Sequence, residues 1–284
     1  MRGCSKLDSH PELQMPCRKF GAATLATSLA ALFLSNAAFA HDPVFSPGPH
    51  VLFKDGIEVH AEYTRNKARG LSDNEASVAI KYGLTGNWVV GVELPYEWER
   101  GSLERESGIG AVSLSTKYRF WRSDRKGIQE SAAIFAQLKL DTGGYADTGT
   151  NDLMLGLTYG YESLKWYRWA SVRYLFNDDA TPDKRGDRLF VDLAAGWRPK
   201  VNDYRAPDTV WMVELNGEMT QSSTVAGLAL ADSGGDQWFV SPGVMWTLRN
   251  FAVKAGIQIP IISKLNGDQA KARYRGLVEL EWHF

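Results

Sequence analysis

After residue 40 the sequence contains no cysteine: Cys4 and Cys17 both lie near its start. Beyond that point it can form neither a disulfide framework nor a thiolate site. It also lacks any later run of the roughly 18 uncharged apolar residues that a membrane helix needs, so a helical membrane protein is excluded. A large excess of either charge sign is absent too. Leaving out the four basic and two acidic residues of the first 40 from 32 Lys and Arg and 33 Asp and Glu gives a net charge of about −3. Nothing in that balance predicts nucleic-acid binding. A β-barrel escapes these exclusions, because a barrel strand turns only every second side chain to lipid.

What the first 40 residues do contain is a leader. Arg18 and Lys19 precede an apolar segment from Phe20 to Phe33, followed by Ala38-Phe39-Ala40. A charged end, an apolar centre and small residues at a cleavage site are the marks of a secretory signal peptide. Residues 1–40 are therefore expected to be a signal peptide, with Met15 a possible true start and His41 the new amino terminus. The stretch AAFAHDPVFSPGPH then reads as a processing site followed by a stiff, proline-rich periplasmic arm over 41–50, and residues 51–284 as the barrel.

Read with a period of two, residues 51–284 break into about twelve segments. In NWVVGVELPYEWER, Trp88, Val90, Val92, Leu94, Tyr96 and Trp98 fall on one face and Val89, Gly91, Glu93, Pro95 and Glu97 on the other. An apolar face with aromatic ends against a polar face suits a strand between lipid and a lumen. The first segment puts Ile57, Val59, Ala61 and Tyr63 outward and Glu58, His60 and Glu62 inward. In the last, YRGLVELEWHF, Leu277 is the apolar exception on an inner face that otherwise holds Arg275, Glu279, Glu281 and His283. Short connectors (LTGN, RSDRKG, ESLK, RN) alternate with longer polar ones, with PKVNDYRAPD long where a short turn is expected. The expected fold is all-β: an antiparallel up-and-down transmembrane barrel of about twelve strands with both termini periplasmic. A soluble β-sandwich would alternate similarly, but would need neither this many Trp and Tyr near strand ends nor Phe284 as last residue.

Several stretches carry a closer likeness. GIGAVSLSTKYRF, LKLDTGG, LMLGLTYGYES, GDRLFVDLAAGWRP, LNGEMT, SPGVMWTLRN and AGIQIPI, in that order, resemble strand phrases of the phenol-degradation meta-pathway family of outer-membrane proteins. That family is similar in turn to fatty-acid and aromatic-hydrocarbon transport barrels. Gly276, Trp282 and Phe284 resemble the terminal signal read by the barrel assembly machinery. The resemblance implies a Gram-negative outer-membrane location, lipid as the surrounding partner, and transport without catalytic residues.

The residues themselves agree in offering no catalytic constellation. The histidines after residue 40 are His41, His50, His60 and His283. None falls in an outer loop or on the lipid face, where a hydrolytic barrel would need its general base. The expectation is a non-enzyme. The inward face carries Glu58, Glu62, Glu93, Glu97, Asp192, Glu214, Glu218, Glu279 and Glu281, with Lys81, Lys117, Arg119, Lys139, Arg173, Lys254 and Arg275 among them. Such groups either pair across a filled interior or line a polar pore for small solutes. A passive or gated conduit is one reading, with QSSTVAGLALADSGGD as a candidate lid. A non-transporting structural or copper-binding barrel is the other. For the latter, the α-amino group and imidazole of His41, with Asp42, His50, His60 and His283, form the candidate ligand set, and no other cofactor is implied.

Overall fold

The computed structural model describes residues 41–284 apart from 69–70, 101–106, 143–148, 181–182 and 203–205. The signal-peptide expectation for residues 1–40 lies outside the described residues.

Twelve long strands form the wall: β1 (Ile57–Ala68), β2 (Ser72–Thr85), β3 (Trp88–Arg100), β4 (Ser113–Arg125), β5 (Ile128–Lys139), β6 (Asp152–Ser163), β7 (Trp166–Phe176), β8 (Arg188–Trp197), β9 (Asp208–Thr220), β10 (Gly235–Leu248), β11 (Phe251–Leu265) and β12 (Ala272–His283). Each pairs antiparallel with its neighbours in sequence. β12 pairs with β1 and closes the cylinder. Closure pairs the ladders around the cylinder, so that the strands satisfy one another's backbone polar groups; beyond Glu93, β3 pairs with the short segment Ser107–Ile109 in place of β4. At the seam the carbonyl of Phe284 accepts from the Ile57 amide at 3.1 Å, and the Phe284 amide donates to Ile57 O at 2.8 Å.

Alternation decides which face is which. Val78, Ile80, Leu94, Ile134, Leu157, Leu193, Val213 and Ile259 are exposed on the outer face, where lipid replaces water at no cost to apolar groups. Aromatic residues gather at both ends of the strands. Trp166 with Trp197, and Phe251 with Trp246 and Trp282, ring the short-turn end, while Tyr63, Tyr96 and Trp98 sit together at the long-loop end. Two such girdles are what an interface on each side of a bilayer selects. Beyond the long-loop end, Asp179–Ala180, Asp183–Lys184, Thr224–Val225 and Leu228–Ala229 make a small four-stranded sheet. It holds the candidate lid segment. Leu228 there is 75% exposed, whereas Val225 and Leu230 of the lid's apolar centre line a cavity.

Two boundaries differ from the sequence reading. The connector between β1 and β2 shrinks to residues 69–71, because polar residues such as Arg65 and Asn74 still pair in the ladder. More consequentially, the wall begins at Ile57 rather than at residue 51, and the expected periplasmic arm runs inside the barrel.

Candidate functional site

Residues 41–53 form a plug in the lumen near the short-turn end. Pro43, Pro47 and Pro49 carry no amide hydrogen, so this non-strand segment brings fewer donors that need partners, and their fixed φ lowers the entropy lost on seating. The donors that remain are met by wall side chains. Glu214 of β9 accepts from the amides of Val44 (2.8 Å) and Phe45 (3.0 Å) and from the Ser46 hydroxyl (2.7 Å). Lys117 of β4 donates to Asp42 (2.7 Å) and to the Gly48 carbonyl (2.9 Å). Thr158 of β6 donates to Pro47 O at 2.9 Å. The plug is thus pinned from several directions, and among the described residues no backbone–backbone hydrogen bond joins residues 41–52 to the wall.

Apolar contacts complete the seat. Val44 is buried against Tyr167, Trp169, Ala194, Val210, Met212 and Met245, and Phe45 and Leu277 pack on the same cluster. Leu277, the inward apolar exception in the last strand, is explained by this cluster. Val51 and Leu52 pack on Val89. Glycines on the wall make room: a Cβ at Gly160 would lie 2.8 Å from Pro49 Cγ, and one at Gly256 2.7 Å from Phe45 Cε2. This apolar inner surface was the signal in the sequence for an occupant, since inward Val210 and Met212 share the parity of Glu214.

The seam between β1 and β12 carries a ladder of histidines and carboxylates. Its register pairs Glu58 with His283, His60 with Glu281 and Glu62 with Glu279, so E-x-H-x-E on one strand faces E-x-E-x-H on the other. His60 hydrogen-bonds both Glu58 and Glu279. Lys81 joins Glu58 at 2.9 Å, and Lys254 joins Glu281 at 2.9 Å and Glu279 at 3.3 Å. The plug adds His41, whose Nδ1 lies 2.7 Å from Glu281 Oε1. Nε2 of His283 lies 2.6 Å from that same oxygen. His41, Glu281 and His283 form one group whose ligand atoms all lie within 4.8 Å of one another, and His60, Glu279 and Glu281 form a second. His50 joins neither. Both its ring nitrogens are shut from solvent and have no hydrogen-bond partner among the described residues, and burial pushes its pKa from 6.5 down to about 3, against the opposing pull of Asp42 and Glu58.

The other expected lumen residues separate into paired and cavity-lining groups. Arg275 binds Glu218 in a fork and lies over the Phe239 ring. Arg173 meets Asp192 at 2.9 Å, and Asp192 also accepts from Ser171 and Asn216. Glu62 and Glu93 line a cavity of about 300 Å³ beside the plug. Glu97 is half-buried at the long-loop side of β3. A second cavity of about 230 Å³ shares Gln137 and Met154 with the first and is bounded by Lys139, Asp152, Arg185 and Arg188. A third of about 360 Å³ shares Arg185 and reaches Ser223 and Leu230 of the outer loops. Asp152 is clasped by Lys139 at 3.0 Å and Arg185 at 2.5 Å, which makes the middle cavity a cationic neck. Glu75, on β2 and paired in register with Glu97, adds to the acidic side of the lumen.

A closed twelve-stranded cylinder with an apolar outer face, aromatic girdles and a polar, plugged interior defines a transmembrane β-barrel of the outer-membrane type. The chain belongs to the family described as the putative MetA-pathway of phenol degradation, which matches residues 40–261. Among solved structures, an outer membrane channel from Pseudomonas putida F1 is similar, with a TM-score of 0.66 at 13% identity over 84% of this chain and 99% of that one. The β-domain of a Bordetella autotransporter has a TM-score of 0.48 at 11% identity, over 81% and 99% of the two chains. No curated protein matches the sequence. Fold and family place the protein in the outer membrane.

Proposed function

We propose that the protein is a gated conduit that passes small molecules across the outer membrane when residues 41–53 leave their seat. One observation carries this reading: among the described residues no backbone–backbone hydrogen bond joins residues 41–52 to the wall, and wall side chains and apolar contacts hold the plug. Its departure breaks no strand ladder, so the barrel survives opening. The three cavities lie in succession, neighbours sharing the lining residues Gln137 and Met154 or Arg185, and support a route from plug to outer loops that a compactly filled barrel would not need. The Pseudomonas putida relative is described as a channel, which favours the same class, and the family's description makes small phenols the first solutes to test.

The test is single-channel recording in planar bilayers, with a variant lacking residues 41–53 beside the parent, and liposome uptake of phenols alongside. Discrete steps, rare in the parent and frequent in the truncated protein, are expected. Silence from both, with heat-modifiable migration showing folded barrels, overturns the conduit and leaves a closed structural barrel.

A further inference from the structure

Two groups at the seam hold histidines and carboxylates close together, and only one of them has the surroundings of a metal site. Around His60, the ammonium of Lys81 lies 2.9 Å from Nε2 and 2.9 Å from Glu58 Oε1, so a cation is already in place. The group formed by His41, Glu281 and His283 differs. Both imidazoles bring a ring nitrogen close to the same carboxylate oxygen, Glu281 Oε1: Nδ1 of His41 hydrogen-bonds it at 2.7 Å, and Nε2 of His283 lies 2.6 Å away. The other Glu281 oxygen is held by Lys254 at 2.9 Å, which fixes the carboxylate without occupying the shared position. The second nitrogen of His283, Nδ1, lies 3.3 Å from Glu58 Oε2. A carboxylate within reach of the far nitrogen of a ligating histidine can supply the outer-shell hydrogen bond that orients metal-bound imidazoles. All three residues are buried.

We infer that His41, Glu281 and His283 form a binding site for a borderline divalent ion of the Zn²⁺ or Cu²⁺ type, which latches the plug to the barrel wall. Two imidazoles and one carboxylate are the donor set such ions select. On binding, the ion displaces the protons carried by Nδ1 of His41 and Nε2 of His283. Those protons leave, or move to the far nitrogens, where Glu58 accepts that of His283. A tetrahedral ion spaces its ligand atoms about 3.3 Å apart, which small rotations of the three side chains reach. Where processing leaves His41 as the first residue, its α-amino group offers a further nitrogen. His41 comes from the plug and the other two ligands from the closing strand, so the ion bridges exactly the two parts that separate on opening. The latch role rests on the conduit reading, whereas the ion site itself does not.

Protein purified from outer membranes, with its amino terminus sequenced, is stripped by chelator and titrated calorimetrically with Zn²⁺ and with Cu²⁺. The expected result is one ion per chain in the parent and a loss of affinity of at least about tenfold in His41→Ala, with His50→Ala unchanged. His41 lies outside the wall, so its removal leaves the barrel able to fold, which heat-modifiable migration checks. Copper-loaded parent should show two imidazole nitrogens in its paramagnetic resonance spectrum, and His41→Ala one. Equal affinity in parent and His41→Ala overturns the site, as does binding that survives in His41→Ala and disappears in His60→Ala. In bilayers, Zn²⁺ should lower the opening frequency of the parent and leave that of His41→Ala unchanged. A parent that conducts but binds no ion overturns the site and spares the conduit, and one that binds an ion yet stays silent does the reverse.

Discussion

Glu214 is the side chain on which the plug hangs, and replacing it measures how firmly the plug is seated. The carboxylate is 1% exposed and accepts from two backbone amides and one hydroxyl of the plug. Hydrogen bonds to a charged group contribute about 1.5–3 kcal/mol each, so three set an upper bound well above any single contact. Water in the cavity beside the plug re-satisfies part of what Glu214→Ala removes, and the packing of Val44 on Trp169 and Met212 remains. A net loss of about 3 kcal/mol is the working value, which raises the unseated population roughly a hundredfold. Glu214→Gln keeps one acceptor and loses the charge, so it should fall between parent and alanine. Barrel stability should stay unchanged, because the backbone ladder pairing Glu214 with Ala194 and Ser241 does not involve the carboxylate. The assay is the open probability of single channels, with heat-modifiable migration as the folding control. If folded Glu214→Ala opens no more often than the parent, Glu214 does not retain the plug.

Three further outcomes test the same seat. A Cβ built at Gly243 lies 3.6 Å from Val44 Cβ, within the span a disulfide bridges. Because cysteine is absent after residue 40, Val44→Cys with Gly243→Cys should give a barrel that is shut when oxidised and opens on reduction; equal conductance in both states would show the plug is not the gate. Gly256→Val places a methyl-bearing carbon against Phe45 and Val44, and should raise the opening frequency without altering the unitary step. Acid should favour opening: His50 is held near pKa 3 when seated and returns toward 6.5 when released, so between those values the released plug binds the extra proton. At pH 5.5 this shifts the equilibrium about tenfold toward release, and His50→Gln should remove that component. An unchanged slope in His50→Gln between pH 7 and 5.5 argues against it.

The wall was legible from the sequence because each strand's information is local. Alternation alone assigned Glu58, His60 and Glu62 inward and Ile57, Val59 and Tyr63 outward, as observed, and the last strand likewise. The plug was not legible, because its contacts join residues far apart in sequence, such as His41 with Glu281 or Val44 with Glu214. Its prolines read as a linker, since nothing local distinguishes a proline-rich arm outside a barrel from one threaded within it. The inner face of β7, β9 and β10 held the available clue. Trp169, Val210, Met212 and Met245 turn apolar side chains to a lumen that is polar elsewhere, and an apolar lining requires an apolar occupant. The His/Glu ladder was readable as inward residues, but its pairing across β1 and β12 depends on closure register, which no single strand encodes.

That ladder also bears on the order in which the protein is made. The segment that fills the lumen is synthesised before any strand, whereas Glu281 and His283, which receive its first residue, belong to the strand synthesised last. The part of the seat that receives His41 therefore does not exist until β12 has docked on β1, although Glu214, Lys117 and Thr158 stand on earlier strands. A barrel one strand short would hold this segment by its middle, through Glu214, Lys117 and Thr158, and leave its end at His41 unsecured.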